Sequence, residues 1–148
     1  MLLRMYKSDM DIASLIEILH REKCSCVILS CGQLTLCRER GVKDLYSILM
    51  STPELLRGAM LADKVVGKGA AALIVSGKVR EVYADVISSP ALQLLRDADI
   101  SVSYDVCVDN IINRAGTGIC PVETLCAHAT SAEECLPIIT GFINNDKQ

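Results

Sequence analysis

KVVGKGAAALIVSG, residues 64–77, is the stretch on which the fold turns. It is a short apolar run seeded with glycine and alanine and broken inside only by the charge of Lys68. Three consecutive alanines after Gly69 favour helix, because alanine has the highest helix propensity and is depleted in strands. The run therefore reads as a helix over 66–76. It is apolar on nearly every side, so it should be buried all round, with Gly67, Gly69 and the alanines letting neighbouring backbones approach closely. A bilayer span needs about 20 apolar residues, so this is core and not a membrane segment.

Composition narrows the class. A chain of 148 residues suits one domain spanning its length, with enough sequence to bury a sizeable core. Half the residues are hydrophobic, but the only aromatics are four tyrosines and one phenylalanine, so the core must be aliphatic. The net charge of −3 and the lack of a Lys/Arg cluster give no footprint for a nucleic-acid backbone, and so few aromatics leave no stacking platform for single strands. Nucleic acid and membrane are not expected partners. Residues 1–12, MLLRMYKSDMDI, turn polar after three apolar positions, which is no signal-peptide core; the reading is a cytoplasmic protein whose eight cysteines are thiols.

Working outward, Ser8 to Asp11 reads as a capping box for an amphipathic helix ending near Arg21, with Ile12, Leu15, Ile16 and Leu19 on one face. CSCVILSC, 24–31, and residues 34–38 read as the strands of a hairpin separated by Gly32 and Gln33. Helical patterns follow over 43–50 and, with Thr52 as cap and Pro53 at the first helical position, to Arg57. Residues 59–64 lead as a strand into the central helix. Residues 80–87 alternate as a strand, Ser89 and Pro90 open the next helix by cap-and-proline logic, and 100–108 alternate again. A loop-like NIINRAGTGICPVE precedes a short helix from Pro121, and Ser131 caps a last helix that Pro137 should kink. The sum is an α/β fold of three layers, with a mixed sheet of about five strands between helices.

VVGKGAAALIVSGKVREVYADVISSPALQLL, followed by INRAGTGICPVE, resembles the uncharacterised bacterial family called domain of unknown function 1893, which is placed in the cytidine deaminase-like superfamily. The resemblance covers about residues 45–123 well and the N-terminal part more loosely. It implies a cytidine deaminase-like fold in which two helices, each introduced by a strand, begin beside one another. Active zinc deaminases carry H-x-E or C-x-E at one of those helix starts and P-C-x-x-C at the other. Residues 64–77 contain no His, Cys or acid, and after Pro90 the cysteine positions are Ala91 and Leu94. Zinc is thus not expected, and neither is hydrolytic deamination by that route; no other cofactor is predicted.

Two adjacent helix N-termini at the carboxyl ends of strands attract anions. Lys64, Gly67 and Lys68 flank one terminus, and Ser88 and Ser89 the other, so a small anionic or nucleotide-like ligand suits the notch. The same residues also read as packing glycines, solvent-reaching lysines and an ordinary cap. A second candidate lies at residues 113–123. Cys120, before Pro121, sits where a helix start favours a thiolate; Arg114 and Thr117 would hold an acidic substrate group, and Glu123 would cap back or move a proton. Against this, a buried inert cysteine is the commoner case. Cys120, Cys126 and His128 converge on a metal only if the short helix bends back, so the expected metal set is none, and His20 reads as a partner of its own helix's C-terminus. Three functions remain open: a non-catalytic ligand-binding module, an enzyme using Cys120 and Glu123, and an assembly role as a homo-oligomer formed through the last helix or the 45–57 insert.

Overall fold

The hairpin follows from its turn. In the computed structural model, which describes residues 10–39, 42–113 and 115–146, Cys31 and Gly32 take φ of 50° and 77°. Two successive positive φ values are what a type I′ two-residue hairpin loop requires. Strands β1 (Cys26–Ser30) and β2 (Gln33–Cys37) therefore pair antiparallel, with Cys26 opposite Cys37. The turn is Cys31-Gly32 and not the expected Gly32-Gln33, because Cys31 accepts the strained conformation and frees Gln33 to open β2.

β1 pairs antiparallel with β3 (Met60–Val66) on its other side, and β3, β4 (Glu81–Ser88) and β5 (Ser101–Val108) run parallel, giving the order β2-β1-β3-β4-β5. The fold is α/β with a mixed sheet of five strands, as the sequence patterns require. Alternation splits the sheet's two faces. Val27, Leu29, Met60, Ala62 and Tyr83 pack under α1 (Ile12–Arg21). Cys26, Ile28, Leu61, Val82 and Ala84 pack against the larger layer of α2 (Lys43–Ser51), α3 (Lys68–Ser76), α4 (Ser89–Asp97), α5 (Pro121–Leu125) and α6 (Ala132–Asp146).

Several ends differ from the sequence reading. The cap of α1 is Asp11, whose carboxylate accepts from the Ser14 amide and hydroxyl; the Ser8 and Asp9 of the expected capping box lie outside the described residues. Thr52 makes no side-chain cap, and Pro53–Leu55 is a single 3₁₀ turn. The cap of α4 is Ser88, which accepts from the Ala91 amide, so Ser89 and Pro90 are the first two helical residues. α6 runs as one helix through Pro137. No helix among the described residues is long and apolar enough to cross a membrane.

α3 is the central helix. Residues Lys68 through Ile74 are all buried, which an amphipathic surface helix never achieves. Its glycines are needed for approach and not for unusual backbone. A Cβ on Gly77 would lie 2.8 Å from Leu56 Cβ, and one on Gly69 would run into Val122 Cγ1. Gly69→Ala gains up to about 1 kcal/mol of helix propensity, but a clash with a rigid branched side chain costs roughly 1–3 kcal/mol. The expected result is a net loss of up to about 2 kcal/mol in urea unfolding; a stabilised variant would show that α5 is not held against α3 at this point.

The core also contains an acid. Asp63 on β3 is 8% exposed, and burial pushes its carboxyl up to about 7, against hydrogen bonds from the Val65 and Lys64 backbone and the Cys26 thiol and with the nearby Asp85 charge adding to the rise. A folded pKa above the unfolded 3.8 contributes stability that is complete below the unfolded value and lost as pH rises through the folded one. Asp63→Asn, which stays neutral, should therefore gain on the wild type between about pH 4 and 7, by a few kcal/mol, and level off above. Urea titrations of both proteins across that range test this; a constant difference would refute it.

Candidate functional site

The notch between the two helix starts is filled by the chain itself. Glu123, in the first turn of α5, is 3% exposed. Its Oε1 accepts from the Lys68 amide at 2.7 Å and the Ser88 hydroxyl at 3.0 Å, and its Oε2 accepts from the Ile111 amide at 2.6 Å. Lys68 is the first residue of α3 and Ser88 the cap of α4, so one carboxylate sits where an external anion was expected. Gly67 leaves it room: a Cβ there would lie 3.4 Å from Glu123 Oε1, an ordinary contact, and 3.2 Å from Ile111 Cγ1, a tight one.

The other predicted residues separate. Lys68 is buried, but its ammonium donates to the Ala129 and Ala127 carbonyls, at 2.6 and 3.3 Å, beyond the end of α5. Lys64 continues the Met60-Ala62 row towards the α1 side, where its charge opposes the upward push of burial on the Cys24 thiol. Ser89 is exposed and turned to β5, donating to the Val108 carbonyl at 3.3 Å with Cys107 Sγ at 3.7 Å. Thr117 closes the tip of the 111–119 loop, its amide donating to Asn113 Oδ1. Arg114 lies outside the described residues. Cys120 is half-buried at the N-cap of α5, yet its side chain makes no capping bond, and the Glu123 carboxylate that would serve it is committed to α3, α4 and Ile111. Among the site candidates, the structure unites Gly67, Lys68, Ser88 and Glu123.

All eight cysteines are free. Cys126 is fully buried beside Cys135, and burial pushes its thiol up to about 12. Among the described residues, no group of three or more His, Cys, Asp or Glu is arranged to hold a metal. His20 departs from its expected role: Nε2 lies 2.8 Å from Asp85 Oδ1, which also accepts from the Tyr83 hydroxyl.

The sequence reading missed what lies in front of the Glu123 lock. A cleft of about 530 Å³ opens at the carboxyl ends of the parallel strands, lined by Val65, Val86, Val108, Asp109, Asn110 and the isoleucines 111, 112 and 119. Val65 and Val86 are register partners on β3 and β4. Ile112 and Ile119 bridge across a small antiparallel hairpin that stands as the outer wall, and they remain 57% and 45% exposed. A signal was present: two isoleucines flanking a short polar, glycine-bearing tip, the pattern of a hairpin.

A family model described as a domain of unknown function, DUF1893, matches residues 14–143. The chain belongs to the DUF1893 family. No curated protein matches it. Among solved structures, a DUF1893 family protein (TM1506) from Thermotoga maritima is similar at 28% identity over 88% of each chain, with a TM-score of 0.81.

In this DUF1893 chain the Glu123 lock should be worth measuring by the charge-assisted bonds it makes. Glu123→Gln presents an amide N–H₂ to at least one of its three donors, and the expected loss is about 1.5–3 kcal/mol in urea unfolding, with faster hydrogen exchange at the Lys68 and Ile111 amides. Unchanged exchange at both amides would mean that the carboxylate does not hold the loop.

Proposed function

We propose that this chain is a non-catalytic small-molecule binding module of cytidine deaminase-like fold, and that its ligand is a neutral, flat, nucleoside-like heterocycle seated in the apolar cleft. The deaminase-like placement is supported by the element order, with a hairpin and then α3 and α4 starting side by side after parallel strands. The observation that carries the ligand class is Glu123. The amides and hydroxyl that would draw a phosphate or carboxylate already serve an internal carboxylate, so the anionic ligand expected from the notch gives way to an uncharged one. The cleft supplies the rest: a floor of Val65, Val86 and Val108, walls of isoleucine, and Asp109 and Asn110 as its polar groups. Asp109 repels anions and accepts from amino or ring N–H groups, while Asn110 both donates and accepts. A few polar groups on an apolar cleft, at the carboxyl ends of parallel strands, are the usual make-up of a small-molecule site.

The helix starts carry Gly67, Lys68, Ser88, Ser89 and Ala91, none of them a customary zinc ligand, so the reading includes no hydrolytic step. The test is a thermal-shift and calorimetric series of nucleobases, nucleosides and their phosphates. Neutral members should stabilise the protein saturably, by about 2.7 kcal/mol at 100 times the dissociation constant, and Ile112→Glu, at an exposed position, should abolish this without altering the circular dichroism. Stabilisation by phosphorylated compounds alone, or by none, would overturn the proposal.

A further inference from the structure

The sheet ends on β5, and among the described residues no strand pairs with its outer edge. Of its eight residues, six are exposed and two half-buried. An edge strand offers a row of free N–H and C=O groups, and proteins commonly guard such edges with lysine, proline, bulges or short length. β5, SVSYDVCV, has no lysine and no proline, keeps an unbroken register with β4 from Ser101 to Val108, and is among the longest strands. The opposite edge, β2, is only five residues long, and its Leu34 and Leu36 pack into the α1 cluster. Tyr104 and Val106 on β5 remain 38% and 46% exposed.

We propose that β5 pairs antiparallel with β5 of a second copy about a two-fold axis at Tyr104, joining two five-stranded sheets into one of ten. The register follows from face and charge. A two-fold axis perpendicular to the sheet keeps each residue on its own face, so partners share parity along the strand. Centring on Asp105 would set two carboxylates directly opposite, which is destabilising. Centring on Tyr104 stacks the two tyrosines, sets Val102 against Val106 of the other copy on the same face, and places the Ser103 hydroxyl against the Asp105 carboxylate on the other. A strip of eight residues at about 3.4 Å each, and roughly 20 Å deep with a side-chain layer on both faces, gives about 500 Å² per copy and roughly 1,000 Å² in all. That is the lower limit for a specific interface, so the dimer is expected to be reversible and concentration-dependent.

Sedimentation of the full chain from about 1 μM to 1 mM should show a monomer–dimer equilibrium that Tyr104→Lys abolishes, with unchanged circular dichroism since the position is exposed. The register is read separately. In it, position 101 faces Cys107 of the other copy, so Ser101→Cys should give a covalent dimer in oxidised glutathione, lost again when Cys107→Ser is added, whereas Ser103→Cys, facing Asp105, should not cross-link to Cys107. A monomer at every concentration overturns the proposal. So does a dimer that survives Tyr104→Lys and fails to cross-link through 101 and 107, which would place the contact on α6 or the 45–57 region.

Discussion

One buried carboxylate organises the carboxyl end of this sheet's parallel strands. Taking a charged group out of water costs several kcal/mol unless hydrogen bonds replace its hydration, and Glu123 receives three, from an amide of α3, the capping hydroxyl of α4 and an amide of the loop after β5. The two helices are thereby finished in different ways. α4 is capped locally, Ser88 accepting from Ala91 three residues on. α3 begins with Gly67, which has no side chain to cap with, and its first amide is satisfied by a residue 55 positions later. Ser88 serves both, accepting from its own helix and donating to Glu123.

Lys68 and Glu123 are buried charges of opposite sign that touch through the backbone without pairing as ions. Each faces a helix end of the complementary polarity. Glu123 lies at the positive N-terminus of α3, and the Lys68 ammonium lies against the carbonyls of Ala127 and Ala129 that follow α5. The consequence falls on α5. A five-residue helix cannot be stable alone, and here the first turn of α3 holds it in three places: Lys68 at its exit, Glu123 in its first turn, and the missing Cβ of Gly69 against Val122. The glycine-rich start of the central helix is the socket for this segment.

Much of the architecture was legible from local pattern. Three alanines marked the buried helix, alternation at Val82 and Ala84 marked a strand with a core face, and proline near a serine marked the start of α4. Some differences are one-residue shifts with local causes: proline sits comfortably at the second helical position, so the cap is Ser88 and not Ser89, and Cys31 tolerates a positive φ usually left to glycine or asparagine. Others are larger: β3 runs on to Val66, so the helix expected from residue 66 starts at Lys68, and the helix expected to Arg57 is a single 3₁₀ turn. In sequence Lys64 and Lys68 both flank the start of the central helix. The strand ends and the helix begins between them, and that turn sends one towards α1 and the other into the core. In sequence Glu123 reads as a group that caps back or moves a proton beside Cys120; the three bonds it accepts are not legible there, since all three donors are distant in sequence or belong to other elements. The cleft escaped notice for the same reason: its floor comes from three strands and its wall from a hairpin that reads locally as a loop.

Ile111 ties the polar lock to the apolar cleft. Its amide is the donor held by Glu123 Oε2, its side chain lines the cleft, and its Cγ1 occupies the space in front of Gly67. The hairpin beyond it closes on itself, through Asn113 with Gly118 and Thr117 and through Cys120 with Ile111, so its internal bonds set its shape but not its position on the sheet. Position comes from the carboxylate and the glycine together. A Cβ at residue 67 would meet Glu123 Oε1 in ordinary contact but crowd Ile111 Cγ1 at 3.2 Å, so the wall of the cleft would have to give by a few tenths of an ångström. The shape of the cleft is therefore determined from behind, by a charge that no ligand in the cleft need touch.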